Sequence, residues 1–365
     1  MTIEALPDEV AKHLKALVLS GGKGTRLRPL TFTLAKQLIP VANRPILGYV
    51  LDQIAETGIT DVGLVIAPET GNYVKEYVRD GAEWGFNVTY ILQEPLGLAH
   101  AVKTAKGFLK EESLIMCLGD NLQGLGIVNL VKRFQREKLD GLILLKEVDD
   151  PTKYGVAVLD GEGNIKQLVE KPKEPPSNLA IVGTYILSNR IHQAIERIKP
   201  SWRSELEITD ALREMINMNF RVKAGILKTW WIDTGKKDDI LSANAKILDE
   251  YIKRSVKGKV NNSIVEGRVR VDSGAKITNS TVRGPCAIGK NTVVENSFIG
   301  PYTSVGDNSR IVSSNVEYSV ILENALVQDV DRLEESLIGK NTLVCKNRKT
   351  KAIKLHVGDY SQVEI

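Results

Sequence analysis

Between Val260 and Leu343 a valine or isoleucine returns about every six residues: Val265, Val271 and Ile277, then Val282, Ile288 and Val294, then Ile299, Val305 and Ile311. One-residue slips separate these sets, and small or polar residues fill the intervals, notably Gly274, Gly284, Gly289, Gly300 and Gly306. A helix repeats its apolar residues every three or four positions and a half-buried strand every two, so neither produces this period. A hexapeptide parallel β-helix does. Each repeat forms one side of a triangular coil, and its single aliphatic stacks on those of neighbouring coils. The expectation is a β-helix over residues 258–345, followed by a tail, 346–365.

The preceding chain has a different texture. Apolar runs at Ala16–Leu19, Val62–Ile66, Val88–Ile91, Leu114–Leu118, Gly141–Leu145 and Val156–Leu159 read as strands, with helical patterns such as Ile46–Glu56 and Tyr73–Trp84 between the early ones. Such alternation predicts an α/β domain over 15–237 whose mainly parallel sheet is covered on both faces, Rossmann-like in layout. A helix from Asp238 to Lys253 would link it, within 238–257, to the β-helix, and residues 1–14 form an extension ahead of the first strand. A length of 365 residues suits two domains.

A net charge of +4 with scattered basic residues argues against a nucleic-acid partner. Three distant cysteines suggest neither disulfides nor a zinc site, which fits a reducing cytosol. No apolar run approaches the ~20 residues that span a bilayer, and the N-terminus carries acids where a signal peptide carries basic residues. A cytoplasmic protein without a membrane partner is expected.

Chemistry concentrates at residues 19–40, where the first apolar run ends in Gly21, Gly22 and Gly24, followed by Arg26, Arg28 and Lys36. Strand, glycine turn and fixed positive charge is how an α/β protein wraps backbone N–H groups and cations around a polyphosphate. The loop is neither a P-loop, which needs a glycine farther upstream of Gly22-Lys23, nor a dinucleotide fingerprint, which needs a third glycine where Leu27 stands. Asp120 and Asp233 each close an apolar run beside a glycine. Carboxylates arriving from distant sequence at two strand ends could hold one Mg²⁺ over a phosphate. Gln93 offers a donor and an acceptor suited to a pyrimidine edge, and Gly97 and Leu98 would let backbone pack against the base. Glu170 and Lys171 precede Pro172 in extended chain, able to meet sugar hydroxyls and a sugar phosphate. A turn aspartate, an ordinary strand-to-helix loop and an exposed ion pair are the structural alternatives for these segments.

The string Gly-Gly-Lys-Gly-Thr-Arg-Leu-Arg-Pro-Leu-Thr, continued by Lys-Gln-Leu-Ile-Pro-Val, resembles the signature loop of the sugar-1-phosphate nucleotidyltransferases. "QEPLGLAHAV", "GDN", "YGVAVLD", "LVEKPKEP", "IVGTYIL", "SELEITDAL" and "WWIDTG" follow in the family's order, so the resemblance covers nearly all of residues 15–236. It implies nucleotide contacts at Leu19, Gly21, Gly22, Gly24, Thr25, Gln93, Gly97, Leu98 and Asp120, catalytic charge at Arg26 and Lys36, and Mg²⁺ on Asp120 and Asp233. It implies a sugar-phosphate pocket at Gly155, Glu170, Lys171, Val182, Tyr185 and Glu205, with Trp231 flanking the metal region. The wording is similar to the long-tailed branch that uses dTTP and glucose 1-phosphate, which also implies a left-handed β-helix. His100 departs from the short-tailed branch, which usually has Gln there.

Three other readings stay open: use of UTP or broad specificity, a second acetyltransferase activity in the β-helix, and a non-catalytic scaffold. Hexapeptide acetyltransferases commonly use a coil histidine as base, but His13, His100, His192 and His356 all lie outside Val260–Leu343. The loop arginine, both lysines and both acids are in place, against a decayed scaffold. The β-helix is expected to serve assembly, giving a homo-oligomer.

Overall fold

All six anticipated runs form strands, each longer by one to three residues than its apolar centre. The main sheet contains β1 (Leu14–Ser20), β2 (Asp61–Ile66), β3 (Asn87–Leu92), β4 (Ser113–Leu118), β5 (Gly141–Glu147), β6 (Gly155–Leu159), β7 (Ile165–Glu170), β8 (Leu179–Leu187) and β9 (Val222–Ile226). These come from a computed structural model that describes residues 6, 11, 13–124, 126–346 and 361–362. The expected extension 1–14 and tail 346–365 lie mostly outside the described residues.

The strand order is β7-β6-β8-β4-β1-β2-β3, with β5 pairing β8 and β9 pairing β5. β1 runs parallel to β2 and to β4, with Leu17 opposite Gly63 and Met116, and β2 runs parallel to β3. These four form the expected parallel half. β8 enters reversed against β4, β5 and β6 and turns the rest of the sheet mixed. Because β2 and β4 flank β1 on opposite sides, their connections diverge and leave a crevice at the carboxyl ends of β1 and β4. Leu17, Leu114, Met116 and Ile143 are fully buried in the core beneath it.

Helix α1 (Ile46–Ala55) matches its pattern, whereas the Tyr73–Trp84 pattern splits. Helix α2 is Gly71–Val78; Arg79 then takes φ +56 and Gly81 φ +82, and a 3₁₀ turn covers Ala82–Trp84. A Cβ on Gly81 would stand 2.4 Å from Val88 Cγ2, so the turn passes too close to β3 for the helix to continue.

Contacts gather the described residues into two units, one on the stretches up to Lys23, Ala35–Gln37 and Leu47–Trp231, the other on Gly24–Leu34, Leu38–Ile46 and the residues from Ile232 on. The second unit holds the hairpin Pro40–Val41/Arg44–Pro45, helix Lys237–Tyr251 and the parallel β-helix. Three stacked sheets form its sides. One inner row runs Val260, Ile277, Val294, Ile311, Val327, Val344, and another Val265, Val282, Ile299, Val316. Most successive coils pair residues 17 apart, as in Asn279–Asn296, so one repeat in three is a residue short. That is the slip in the sequence. One coil is shorter still, pairing Ile311 with Val327, 16 apart.

At the corners Asn262, Asn279 and Asn296 take φ of +45, +48 and +48, a left-handed conformation that asparagine tolerates. Their amides bond coil to coil, Asn262 donating to Asn279 at 2.8 Å and Asn279 to Asn296 at 3.3 Å. Inward aliphatics and corner amides together hold the stack. Ile311→Ala, at a fully buried position, is expected to cost about 2–5 kcal/mol in denaturant unfolding. Arg310→Ala, exposed beside it, is expected to stay within about 0.5 kcal/mol.

Candidate active site

A cavity of about 240 Å³ opens where β1 and β4 end. Of the residues expected to bind nucleotide, Leu19, Gly21, Gly22, Gln93, Gly97, Leu98 and Asp120 line it, joined by Glu205 from the expected sugar set. Gly97 has φ +106, and a Cβ there would stand 2.3 Å from Leu206 O, so only glycine lets the two loops close at this wall. The Gln93 amide nitrogen donates to Gly97 O at 3.1 Å and meets His100 Nδ1 at 3.1 Å. Burial, and then the Lys103 charge, hold the His100 pKa below its usual value. A neutral imidazole accepts from the Gln93 amide, so both amide protons are used and Oε1 remains as the acceptor of the side chain.

Lys36 is buried and its ammonium bonds the Asp120 carboxylate. A lysine out of water needs such a partner, and so does a carboxylate at a strand end. Asn121 Nδ2 donates to Asp120 Oδ1 at 3.0 Å, while its Oδ1 accepts from Trp231 Nε1 at 2.8 Å. Trp231 stands edge-on to Tyr154, ring centroids 5.0 Å apart. Trp231 is thus tied to Asp120 through one amide. Among the described residues no three of His, Cys, Asp or Glu gather as a metal cluster. Asp120 is a single carboxylate at a strand end, a hard oxygen donor of the kind a divalent cation takes when phosphate oxygens and water complete its shell.

The expected sugar residues assemble in the same unit. A Cβ on Gly155 would stand 2.7 Å from Thr209 Cγ2 and 3.1 Å from Glu170 Oε2, so the glycine makes room for that carboxylate. Thr209 donates to Glu170 at 3.1 Å, and the Lys171 ammonium lies 3.8 Å from it. Lys171 itself takes φ +40, an uncommon conformation for a side chain of its size, held by its N–H bonding Tyr154 O at 3.0 Å. Tyr185 and Val182 are buried on β8. Burial, and then the Glu170 charge, raise the Tyr185 pKa.

Arg203 stands among three acids, 2.7 Å from Glu205, 3.3 Å from Glu207 and 3.8 Å from Glu170. Burial raises the pKa of both Glu170 and Glu207; at Glu170 the nearby Glu207 charge adds to it.

Gly24, Thr25, Arg26 and Asp233 belong to the second unit. Gly24 takes φ +61 and starts a 3₁₀ turn, Thr25–Leu27, and Thr31 Oγ1 donates to Gly24 O at 2.8 Å. A Cβ on Gly235 would stand 3.0 Å from an Arg26 guanidinium nitrogen, so Arg26 lies against the turn that begins at Asp233.

Sequence reasoning passed over Gln37 and Arg203. Gln37 lines the cavity, and its buried Oε1 has no hydrogen-bond partner among the described residues. Its signal was its place beside Lys36. Arg203 is two residues before Glu205 in "SWRSELEI", but nothing in that spacing shows that three acids converge on it.

The Nucleotidyl transferase family model matches residues 15–250. The chain is 45% identical to a glucose-1-phosphate thymidylyltransferase of Streptomyces antibioticus, covering 96% of this chain and 99% of that protein. It is 42% identical to the protein of the same name from Streptomyces griseus, again over 96% and 99%. Among solved structures, a UDP-glucose pyrophosphorylase complexed with UDP-glucose superposes with a TM-score of 0.59 at 26% identity, covering 65% of this chain and 98% of that one.

The raised Glu170 pKa has a consequence for stability. The folded protein holds the proton more tightly than the unfolded chain, so this carboxyl contributes most below the unfolded value near 4.5 and loses that contribution as pH rises through the folded value. Glu170→Gln, permanently neutral, is therefore expected to melt above wild type at pH 7–8, with the difference closing on acidification toward about pH 4.5. Melting curves across that range check it.

Proposed function

The chain belongs to the nucleotidyl transferase family, and on that footing we propose that it transfers the thymidylyl group of dTTP to α-D-glucose 1-phosphate, giving dTDP-glucose and pyrophosphate. The observation that carries the reading is the likeness to two thymidylyltransferases over their whole length, β-helix included.

In this reading the base enters between Gln93 and the Gly97–Leu98 turn, where Gln93 Oε1 would accept the imide proton of a pyrimidine. Backbone N–H groups of Gly21 and Gly22 would receive phosphate oxygens. The sugar phosphate is already an anion at neutral pH and attacks the α-phosphorus in line, so no protein base or nucleophile is required. What must be overcome is repulsion, roughly 4 kcal/mol for two unit charges about 4 Å apart at an effective dielectric near 20. Lys36 and Arg26 would neutralise the triphosphate, and Lys171 the incoming phosphate. Glu170 and Glu205 would accept from sugar hydroxyls, with Arg203 keeping three acids together so close to an anionic substrate.

The family works with a divalent metal. Bound by Asp120 and Asp233, Mg²⁺ would offset phosphate charge and polarise the reacting centre.

Pyrophosphate release with Mg²⁺, glucose 1-phosphate and either dTTP or UTP tests the proposal. dTTP is expected to be preferred by about 10–200-fold in kcat/KM, the range one methyl-sized contact supports; equal use would remove the base assignment. Asp120→Ala and Arg26→Ala are each expected to lower kcat by about a hundredfold or more in folded protein. Near-wild-type turnover in either would sink the mechanism.

A further inference from the structure

The loop that carries Arg26 does not end in solvent. Residues 24–34 and 38–46 belong to the same unit as the β-helix, and two sets of contacts hold them there. On one side Leu30 sits against the coil at Gly339, where a Cβ would stand 3.2 Å from Leu30 Cδ2. On the other, the tip of the hairpin Pro40–Val41/Arg44–Pro45 is held by hydrogen bonds.

At that tip Ala42 and Asn43 take φ of +48 and +60. For alanine this conformation costs about 1–2 kcal/mol, so the turn depends on tertiary bonds. Asn244 Oδ1 accepts from Ala42 N at 2.8 Å and from Ser304 Oγ at 2.8 Å, and its Nδ2 donates to Tyr302 O at 2.8 Å. Arg270 donates to Ala42 O at 2.8 Å, and the Asn43 amide donates to Val305 O at 2.7 Å. Asn244 is fully buried and uses its oxygen and its nitrogen to tie the turn to the coil.

We infer that the β-helix positions the loop that carries Arg26, with Asn244 and Asn43 as positioning residues that set where that loop comes to rest. Neither touches the reacting groups. They act because the hairpin and the segment bearing Arg26 are gripped on the same coil stack. The catalytic half of this inference rests on the nucleotidyl-transfer reading; the grip itself does not.

Two variants of the full chain separate the possibilities. Asn43→Gly keeps a residue that adopts φ +60 freely and removes the amide bond to Val305, while Asn244→Ala removes the hub. Hydrogen exchange over residues 24–46 is expected to quicken in both, with β1 and β4 unchanged. Turnover at saturating dTTP and glucose 1-phosphate is expected to fall about tenfold, a modest displacement of catalytic groups, with the KM for dTTP held within about twofold. A merely structural role would instead lower the melting temperature, quicken exchange everywhere and reduce the fraction of protein that binds dTTP; that pattern overturns the inference. So does unchanged exchange over 24–46 in folded Asn43→Gly, or full turnover despite quickened exchange. If Asn244→Ala fails to fold, Asn43→Gly decides alone. If wild-type protein has no turnover, the functional reading fails, and exchange still decides the grip.

Discussion

A central strand flanked on both sides by parallel neighbours is the constraint on which the rest of the first unit depends. β1 lies between β2 and β4, and all three point their carboxyl ends the same way. Connections that leave in opposite directions cannot cover that end, so a crevice is unavoidable there. The glycine turn leaves β1 into it and Asp120 leaves β4 into it. The Lys36–Asp120 pair follows from the same constraint. A carboxylate at the end of a buried strand needs a counter-charge, and the loop after β1 is the segment that delivers one.

Charge is arranged differently at the acids. Glu170, Glu205 and Glu207 share Arg203, with Lys171 at the more exposed edge. A bare cluster of carboxylates would repel any phosphorylated ligand. Tied to one guanidinium they become acceptors for hydroxyl groups, and burial, which raises the pKa of Glu170 and Glu207, opposes their ionisation. In the proposed reaction such a cluster would meet the uncharged ring of the sugar phosphate, with the lysine left for the phosphate.

Most of this architecture was legible in the sequence because it is written in periods. Strand cores and coil aliphatics repeat at spacings that only one backbone geometry satisfies, so their positions read through directly. The split at Gly81 was not legible, because helix α2 ends where β3 crowds it, a tertiary contact invisible to a helical pattern. The reversal of β8 was hidden for a related reason, since a strand buried on both faces reads alike in either direction. In the candidate site, residues inside the glycine string and the acids at strand ends stood out through local chemistry. Arg203 and the orphan Oε1 of Gln37 did not, because their meaning lies in what converges on them from elsewhere.

The outer faces of the β-helix show the same division between local and tertiary signals. Each side of a coil points one row of residues inward and its neighbours outward, and outward residues ordinarily meet water. On one side the outward row is Arg270, Ala287, Ser304 and Val320, of which the last three are at most 1% exposed. On another side the outward row contains Lys276 and Arg310, both exposed. Ala287 and Ser304 are small where the hairpin tip and Asn244 lie against the first face, whereas the second row alternates charge with aliphatics, Lys276, Val293, Arg310, Leu326 and Leu343. The six-residue period constrains only the inward row, since that row alone must be aliphatic for the coils to stack. The outward rows are free to record what each face carries, and here the face with the smallest side chains is the one that seats the chain leading from the glycine loop.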